Sequence, residues 1–268
     1  MIRSLFIVVL ICIYTGNLLA EEVKSAHIIV ALCDNQYQGI VPVPEKIGDG
    51  DKPSSNLYWG CAYGMKTYFK RSKDWVMIKS YRISDIILER VIFKHIKTNT
   101  YLVADAYRGR NINKAMSDFI RSCSGKESDI LTVKHNGKEV TIGIHNRANL
   151  VGFVGHNGLM DIADDSDVYK KLYETDPIFE KGASNKKAII LSCMSSSYFD
   201  SQLRMAKAYP LLWTKQFMAP EAYIVKAVLT GWINNESDKQ IKERAAKAYC
   251  HYQKCSINGA RAIFKTGW

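Results

Sequence analysis

Four short, mostly apolar runs most constrain what this chain can fold into: His27 to Cys33 (HIIVALC), Tyr101 to Ala106 (YLVADA), Leu150 to Gly155 (LVGFVG) and Ala188 to Ser192 (AIILS). Each is too short for a core helix and lacks the polar alternation of a strand with one wet face. Runs of this kind are strands buried on both sides, the pattern of a parallel sheet covered by helices. Helical spacing lies between them. Leu57, Cys61, Met65 and Phe69 share one face of a predicted helix over Asn56 to Lys70. Ile112, Ala115, Met116, Phe119 and Ile120 share one face of a second, over Asn111 to Cys123, with Asn111 as its cap.

Shorter signals fill the rest. Trp75 to Ile78 reads as a strand, and Ile83 to Ile96 fits either a strand or a helical stripe. Lys134-His135-Asn136-Gly137 marks a hairpin between Leu131 to Val133 and Val140 to Ile144. From Phe199 onward the pattern is largely helical. The alternation predicts an α/β fold, a three-layer αβα sandwich around a mostly parallel sheet. No linker or repeat divides residues 21–268, so one domain with a helical C-terminal portion is expected. Val41 to Asn56, rich in Pro and Gly-Asp turns, reads as a functional surface loop.

Residues 1–20 combine Arg3, the apolar run Leu5 to Tyr14 and a short polar break before Ala20, the plan of a secretory signal peptide. The expectation is export, to a periplasm or to the medium. No apolar run reaches the ~20 residues of a membrane span, so no stable membrane anchor is expected. The net charge of +11 raises the question of polyanions. The cations are scattered without a tight run or a zinc-finger spacing, which argues against nucleic-acid binding. Beyond residue 20 there are six cysteines: Cys33, Cys61, Cys123, Cys193, Cys250 and Cys255. Disulfides are the default in an exported chain, and Cys250 with Cys255 form the local candidate. The absence of a C-x-x-C pair speaks against a thioredoxin-like site and a structural zinc cluster.

Two of the apolar runs end in reactive side chains. The Leu150 run leads into His156-Asn157-Gly158, and the Ala188 run leads through Ser192 into Cys193. In parallel sheets catalytic groups gather beyond the carboxyl ends of the strands. A thiolate at Cys193 attacks a carbonyl well, and His156 can activate it or protonate the leaving amine. Gly158 is the oxyanion candidate, because a glycine lets a substrate carbonyl approach the main chain. His27, His95, His135, His145 and His251 show no cysteine or carboxylate constellation in the sequence, so packing accounts for them. No metal site and no cofactor are expected.

With these residues in place, the chain resembles the caspase-like superfamily of cysteine peptidases, which includes caspases, metacaspases, gingipains, clostripain and legumain. Their shared pattern is an apolar strand ending in His-Gly, then a later apolar strand ending in a small or acidic residue and the nucleophilic Cys. GFVGHNG with His156 and AIILSC with Cys193 match it. The segment YLVADAYRGRNINKAMSDFI resembles the strand and helix that precede the histidine, and HIIVALCDN stands where the opening strand would. The order of elements matches from about Ala26 to Leu229, and only the two short motifs are specific. Two departures stand out: Asn157 separates His156 from the glycine, and Ser192 is not the commonest residue before the cysteine.

The resemblance implies an endopeptidase acting on a protein or peptide substrate through His156, Cys193 and an acyl-enzyme. Members that cleave after Arg or Lys line the primary pocket with acids, which makes Asp34 and Asp161 substrate-binding candidates, with Asp164 and Asp165 behind them. A solvated acidic loop is the competing account. At the level of function the competitors are a catalytically inactive caspase-like binding domain, suggested by the broken His-Gly, and a transamidase-type acyl transferase.

Overall fold

The computed structural model describes residues 22–162 and 186–268. The predicted signal segment, Asp164 and Asp165 therefore lie outside the described residues. An eight-stranded sheet forms the centre, with order β10-β9-β8-β7-β1-β4-β3-β2. Its strands are β1 (Lys24–Ala31), β2 (Trp75–Tyr81), β3 (Ile87–His95), β4 (Thr100–Tyr107), β7 (Leu150–Val154), β8 (Lys187–Leu191), β9 (Tyr209–Thr214) and β10 (Phe264–Lys265). The five central strands β9, β8, β7, β1 and β4 run parallel. At the two edges, β2 and β3 on one side and β10 on the other pair antiparallel. β5 (Ser128–His135) and β6 (Lys138–His145) form a separate hairpin.

Helices cover both faces. On one lie α1 (Met65–Lys70), α6 (Ala222–Ile233), α7 (Asp238–Gln253) and α8 (Ile257–Ile263). On the other lie α2 (Ile112–Ser124), α3 (Gly158–Ile162) and α5 (Asp200–Ala206), with α4 (Ser195–Tyr198) leading into α5. β1 shows why its run is apolar throughout. Ala26, Ile28 and Val30 enter the core under α6 and α7, while Ile29 and Ala31 enter the core under α2. The α/β class, the mostly parallel sheet and the flanking helix layers are thus as the sequence predicts.

Three expectations are corrected. Of the helix predicted over Asn56 to Lys70, only Met65–Lys70 is helical. Asn56 is instead fully buried, and its amide accepts from Cys33 N (3.1 Å) and donates to Cys33 O (2.8 Å) at the end of β1. That use of the side chain competes with helix formation. Asn111 precedes α2 without a side-chain capping bond, and Gly125 in the left-handed region closes the helix. The C-terminal third, which reads as largely helical, also contains the strands β9 and β10. The β8–β9 register shifts between Ala188 and Ile189, beside the position that Pro210 faces, which accommodates its missing N–H.

His27 and His145, which the sequence assigns to packing, belong to a buried charged network under the hairpin. Arg90 of β3 donates twice to Asp105 of β4, Nε to Oδ1 and Nη2 to Oδ2, both at 2.6 Å. His27 Nε2 of β1 lies 3.0 Å from Asp105 Oδ2, and His27 Nδ1 accepts from the His145 N–H at 3.0 Å. Because Nδ1 is an acceptor, the ring proton sits on Nε2 and is donated to Asp105. His145 Nδ1 in turn lies 2.9 Å from Ser122 Oγ on α2, whose hydroxyl donates to Asp118 O. Burial alone would raise the Asp105 carboxyl, but the bonds from Arg90 and His27 overcome it and hold it well below the usual range.

Burial, reinforced by His27, pushes the His145 imidazole down to about 3 from its ordinary 6.5. The folded protein therefore keeps His145 neutral where the unfolded chain would protonate it. Its contribution is full above pH 6.5 and is lost as pH falls from 6.5 towards 3, with Asp105 adding a further loss at more acid pH. Urea midpoints measured from pH 7 down to pH 4 are expected to fall, and His145→Gln is expected to flatten that slope.

Candidate functional site at the carboxyl edge of the sheet

Counting only the parallel strands in chain order, the sheet runs 2-1-3-4-5, so the chain reverses its direction of winding between β1 and β7. Crevices at such switch points, beyond the carboxyl ends of the strands, are where open α/β sheets bind ligands. Three predicted site residues sit at that edge: Asp34 beyond β1, His156 beyond β7 and Cys193 beyond β8.

Gly155 starts the turn that carries His156. Its φ is +152°, and a Cβ there would stand 2.9 Å from Ala31 O of β1. Gly155→Ala is expected to cost about 1–3 kcal/mol, read as a lower urea midpoint. His156 Nε2 lies 2.8 and 2.9 Å from the two carboxylate oxygens of Asp161, and Asp161 Oδ2 also accepts from Gly39 N at 3.3 Å. The His156 side chain is only 9% exposed and that of Asp161 32%. A carboxylate partner places the ring proton on Nε2 and leaves Nδ1 for chemistry.

Cys193 is held from two sides. Its Sγ lies 3.5 Å from the Met218 N–H and 3.6 Å from Met218 O, and its carbonyl accepts from Asn157 Nδ2 at 2.7 Å. Asn157 is fully buried, and its Oδ1 accepts from Leu159 N at 3.2 Å. The residue that interrupts His-Gly therefore ties the histidine loop to the cysteine loop. Its being an Asn directly after the histidine was the only sign of this in the sequence. Beyond Cys193 the chain turns through Met194 at φ +50° into α4, with the Met194 N–H on Gln216 O (3.1 Å). Among the described residues no hydrogen bond joins His156 to Cys193 Sγ. Catalytic contacts of this kind are often long until substrate is bound.

The remaining candidates are placed as follows. Gly158 opens α3 and packs on Met116 and Ile112 of α2, where a Cβ would stand 2.8 Å from Met116 Cε. Asp34 is buried, and its Oδ1 accepts from the N–H groups of Gln36 (3.0 Å) and Tyr37 (3.2 Å), which holds the turn after β1. It also lines a cavity of 390 Å³ together with Glu45, Asp49 and Asp51 of the Pro- and Gly-rich loop. That loop is fastened to the end of β1 by Asn35, which bonds Val43 through both its amide groups. Asp161 is brought to His156 rather than to Asp34.

All six described cysteines are free thiols, and Cys250 Sγ contacts Cys255 O rather than Cys255 Sγ. Burial pushes Cys33 up to about 12 and raises Cys123 further, so both stay protonated and inert. Among the described residues no group of His, Cys, Asp or Glu is arranged to hold a metal ion, and no helix is long and apolar enough to cross a membrane. No family model, no curated protein and no solved structure matches the chain.

Proposed function

We propose that the chain is an exported cysteine endopeptidase of the caspase-like kind. The observation that carries this reading is that His156 and Cys193 stand beyond adjacent parallel strands, β7 and β8, with Asn157 bonding one loop to the other. In this scheme Cys193 Sγ, as the thiolate, attacks the scissile carbonyl and the π electrons move onto the carbonyl oxygen. Main-chain N–H groups near Gly158 and Cys193 stabilise that oxyanion. As the tetrahedral adduct collapses, the C–N bond breaks and His156 gives a proton to the leaving amine. Water, deprotonated by His156, then attacks the thioester, and the C–S bond breaks to release the carboxylic acid and the Cys193 thiolate beside the protonated His156.

Asp161 acts on this cycle as a positioning residue, through His156. Asp161→Asn is expected to lower kcat by about 10²-fold, with KM unchanged. The acidic cavity at Asp34 supports a preference for Arg or Lys before the cleaved bond. A non-catalytic binding domain is the second reading, and what favours it is that no hydrogen bond among the described residues joins His156 to Cys193. Fluorogenic peptides bearing Arg, Lys, Asn or Asp before the bond, run beside labelling by a peptidyl acyloxymethyl ketone, decide between them. Turnover with label on Cys193 supports the peptidase. Turnover only after Asp or Asn removes the basic preference, and neither turnover nor label leaves the binding domain. Products joined to an added amine in place of free acids would point to the transamidase.

A further inference from the structure

Four tyrosines gather where the segment before α1 meets α6 and α7. Tyr63 packs edge-on against Tyr223 (ring centroids 5.9 Å) and Tyr252 (5.0 Å), while Tyr223 and Tyr252 stack at 4.4 Å and 15°. Tyr68 packs edge-on against the same pair. The outer rings, Tyr63, Tyr68 and Tyr252, line a cavity of 580 Å³ together with Arg71, Lys73 and Lys226. That volume is in the range of ligand sites and exceeds a single side chain.

The lining is rich in donors and short of acceptors. Among the described residues Asp74 is its one carboxylate, and Lys226 holds it at 2.6 Å. Arg71 and Lys73 are exposed, and neither side chain makes an ion pair or hydrogen bond among the described residues. The hydroxyls of Tyr68 and Tyr252 lie 3.0 Å apart. Two hydroxyls hold two protons and spend one on their mutual bond, so the second is available to an acceptor. Tyr63, 41% exposed, offers an aromatic surface beside these donors. Such a lining complements a ligand with carboxylates and an aromatic ring.

The cavity is also joined to the nucleophile. The Met218 N–H lies on Cys193 Sγ, and four residues later the Ala222 N–H donates to Tyr63 O at 2.9 Å. Four Cα–Cα steps span at most about 15 Å, which about five residues of extended peptide would cover at ~3.3 Å each. We propose that the Tyr63–Tyr68–Tyr252 cavity, with Arg71 and Lys73, is a secondary subsite for an acidic, aromatic-bearing stretch of the polypeptide substrate. The proposal rests on the peptidase reading for the word substrate, but its test needs no turnover.

The test is fluorescence anisotropy of fluorescein-labelled Glu-Tyr-Glu-Asp-Phe-Glu on the full chain carrying Cys193→Ala, beside Lys-Tyr-Lys-Lys-Phe-Lys. The acidic probe is expected to bind at least about tenfold more tightly than the basic one. It should lose about tenfold or more on adding Arg71→Glu with Lys73→Glu, since like charges then face each other. Tyr63→Ala is the second variant, and should weaken the acidic probe without changing the charge. Equal affinity for both probes, or no loss in the charge-reversed chain with its circular dichroism intact, overturns the subsite. Displacement of the probe by a heparin tetrasaccharide at lower concentration than by unlabelled peptide overturns the peptide assignment. Hydrolysis of short peptides by the unmodified chain is scored separately. Turnover without probe binding removes the subsite alone, and probe binding without turnover removes the peptidase alone.

Discussion

Asp105→Ala is expected to lower the stability of the fold by about 3–5 kcal/mol, measured as the change in free energy of urea unfolding at pH 7. The carboxylate is fully buried and joins three strands, taking two bonds from Arg90 and one from His27. Removing it leaves a guanidinium that is only 6% exposed without its counter-ion and strands the His27 Nε2–H. The loss of an uncompensated partner is what makes a broken buried pair costly, whereas exchanging both partners for apolar residues of similar size is often near neutral. Arg90→Met with Asp105→Leu is therefore expected to recover much of the loss. A single substitution costing under 1 kcal/mol would show that Arg90 finds solvent on its own.

Cys193→Ala is expected to abolish peptide hydrolysis, with kcat falling on the order of 10⁴-fold or more, and His156→Ala to lower it by about 10²–10⁴-fold. Both follow from the proposed dyad, in which one group forms the covalent bond and the other moves the proton. Effects within such a unit are not additive, so the double variant should be little worse than Cys193→Ala alone. The unfolding midpoint of Cys193→Ala should stay near that of the parent, because among the described residues the hydrogen bonds of Sγ are the long ones to Met218 at 3.5 and 3.6 Å. Turnover that survives Cys193→Ala within a few-fold would move the chemistry elsewhere in the molecule.

Residue patterns are informative where structure is set by neighbours in the chain. The strands carrying His156 and Cys193 are visible because strands covered on both faces need uninterrupted apolar runs, and a run that stops at a reactive side chain also marks the strand's carboxyl end. The hairpin at Asn136-Gly137 is equally local: both residues adopt positive φ, which the turn requires. Asp105 was visible only as a polar letter inside YLVADA. Its partners lie 15 positions away at Arg90 and 78 away at His27, and no periodicity links them.

What local residue patterns do not reveal shares a cause. Leu57, Cys61, Met65 and Phe69 have helical spacing, yet Asn56 spends its amide on β1, and the chain from 56 to 64 turns instead of coiling. β9 and β10 lie within a largely helical stretch and exist through their pairing with β8 and with each other, which no local pattern marks. Asn157 reads as an interruption of His-Gly and Asp161 as a substrate-binding candidate, and the fold sets the Cys193 carbonyl against the one and the His156 ring against the other.

The alternation of buried strands and helices, the α/β class and the two strand ends that bear His156 and Cys193 are legible in the residue order. Each is a property of a few consecutive residues, expressed through the period of the backbone. Tertiary structure alone decided the strand order that makes β7 and β8 neighbours, the pairing of Asp161 with His156 and the Arg90–Asp105–His27 network. A buried polar group takes whichever partner the packing of distant strands brings within 3 Å, and that choice is made by the assembled sheet.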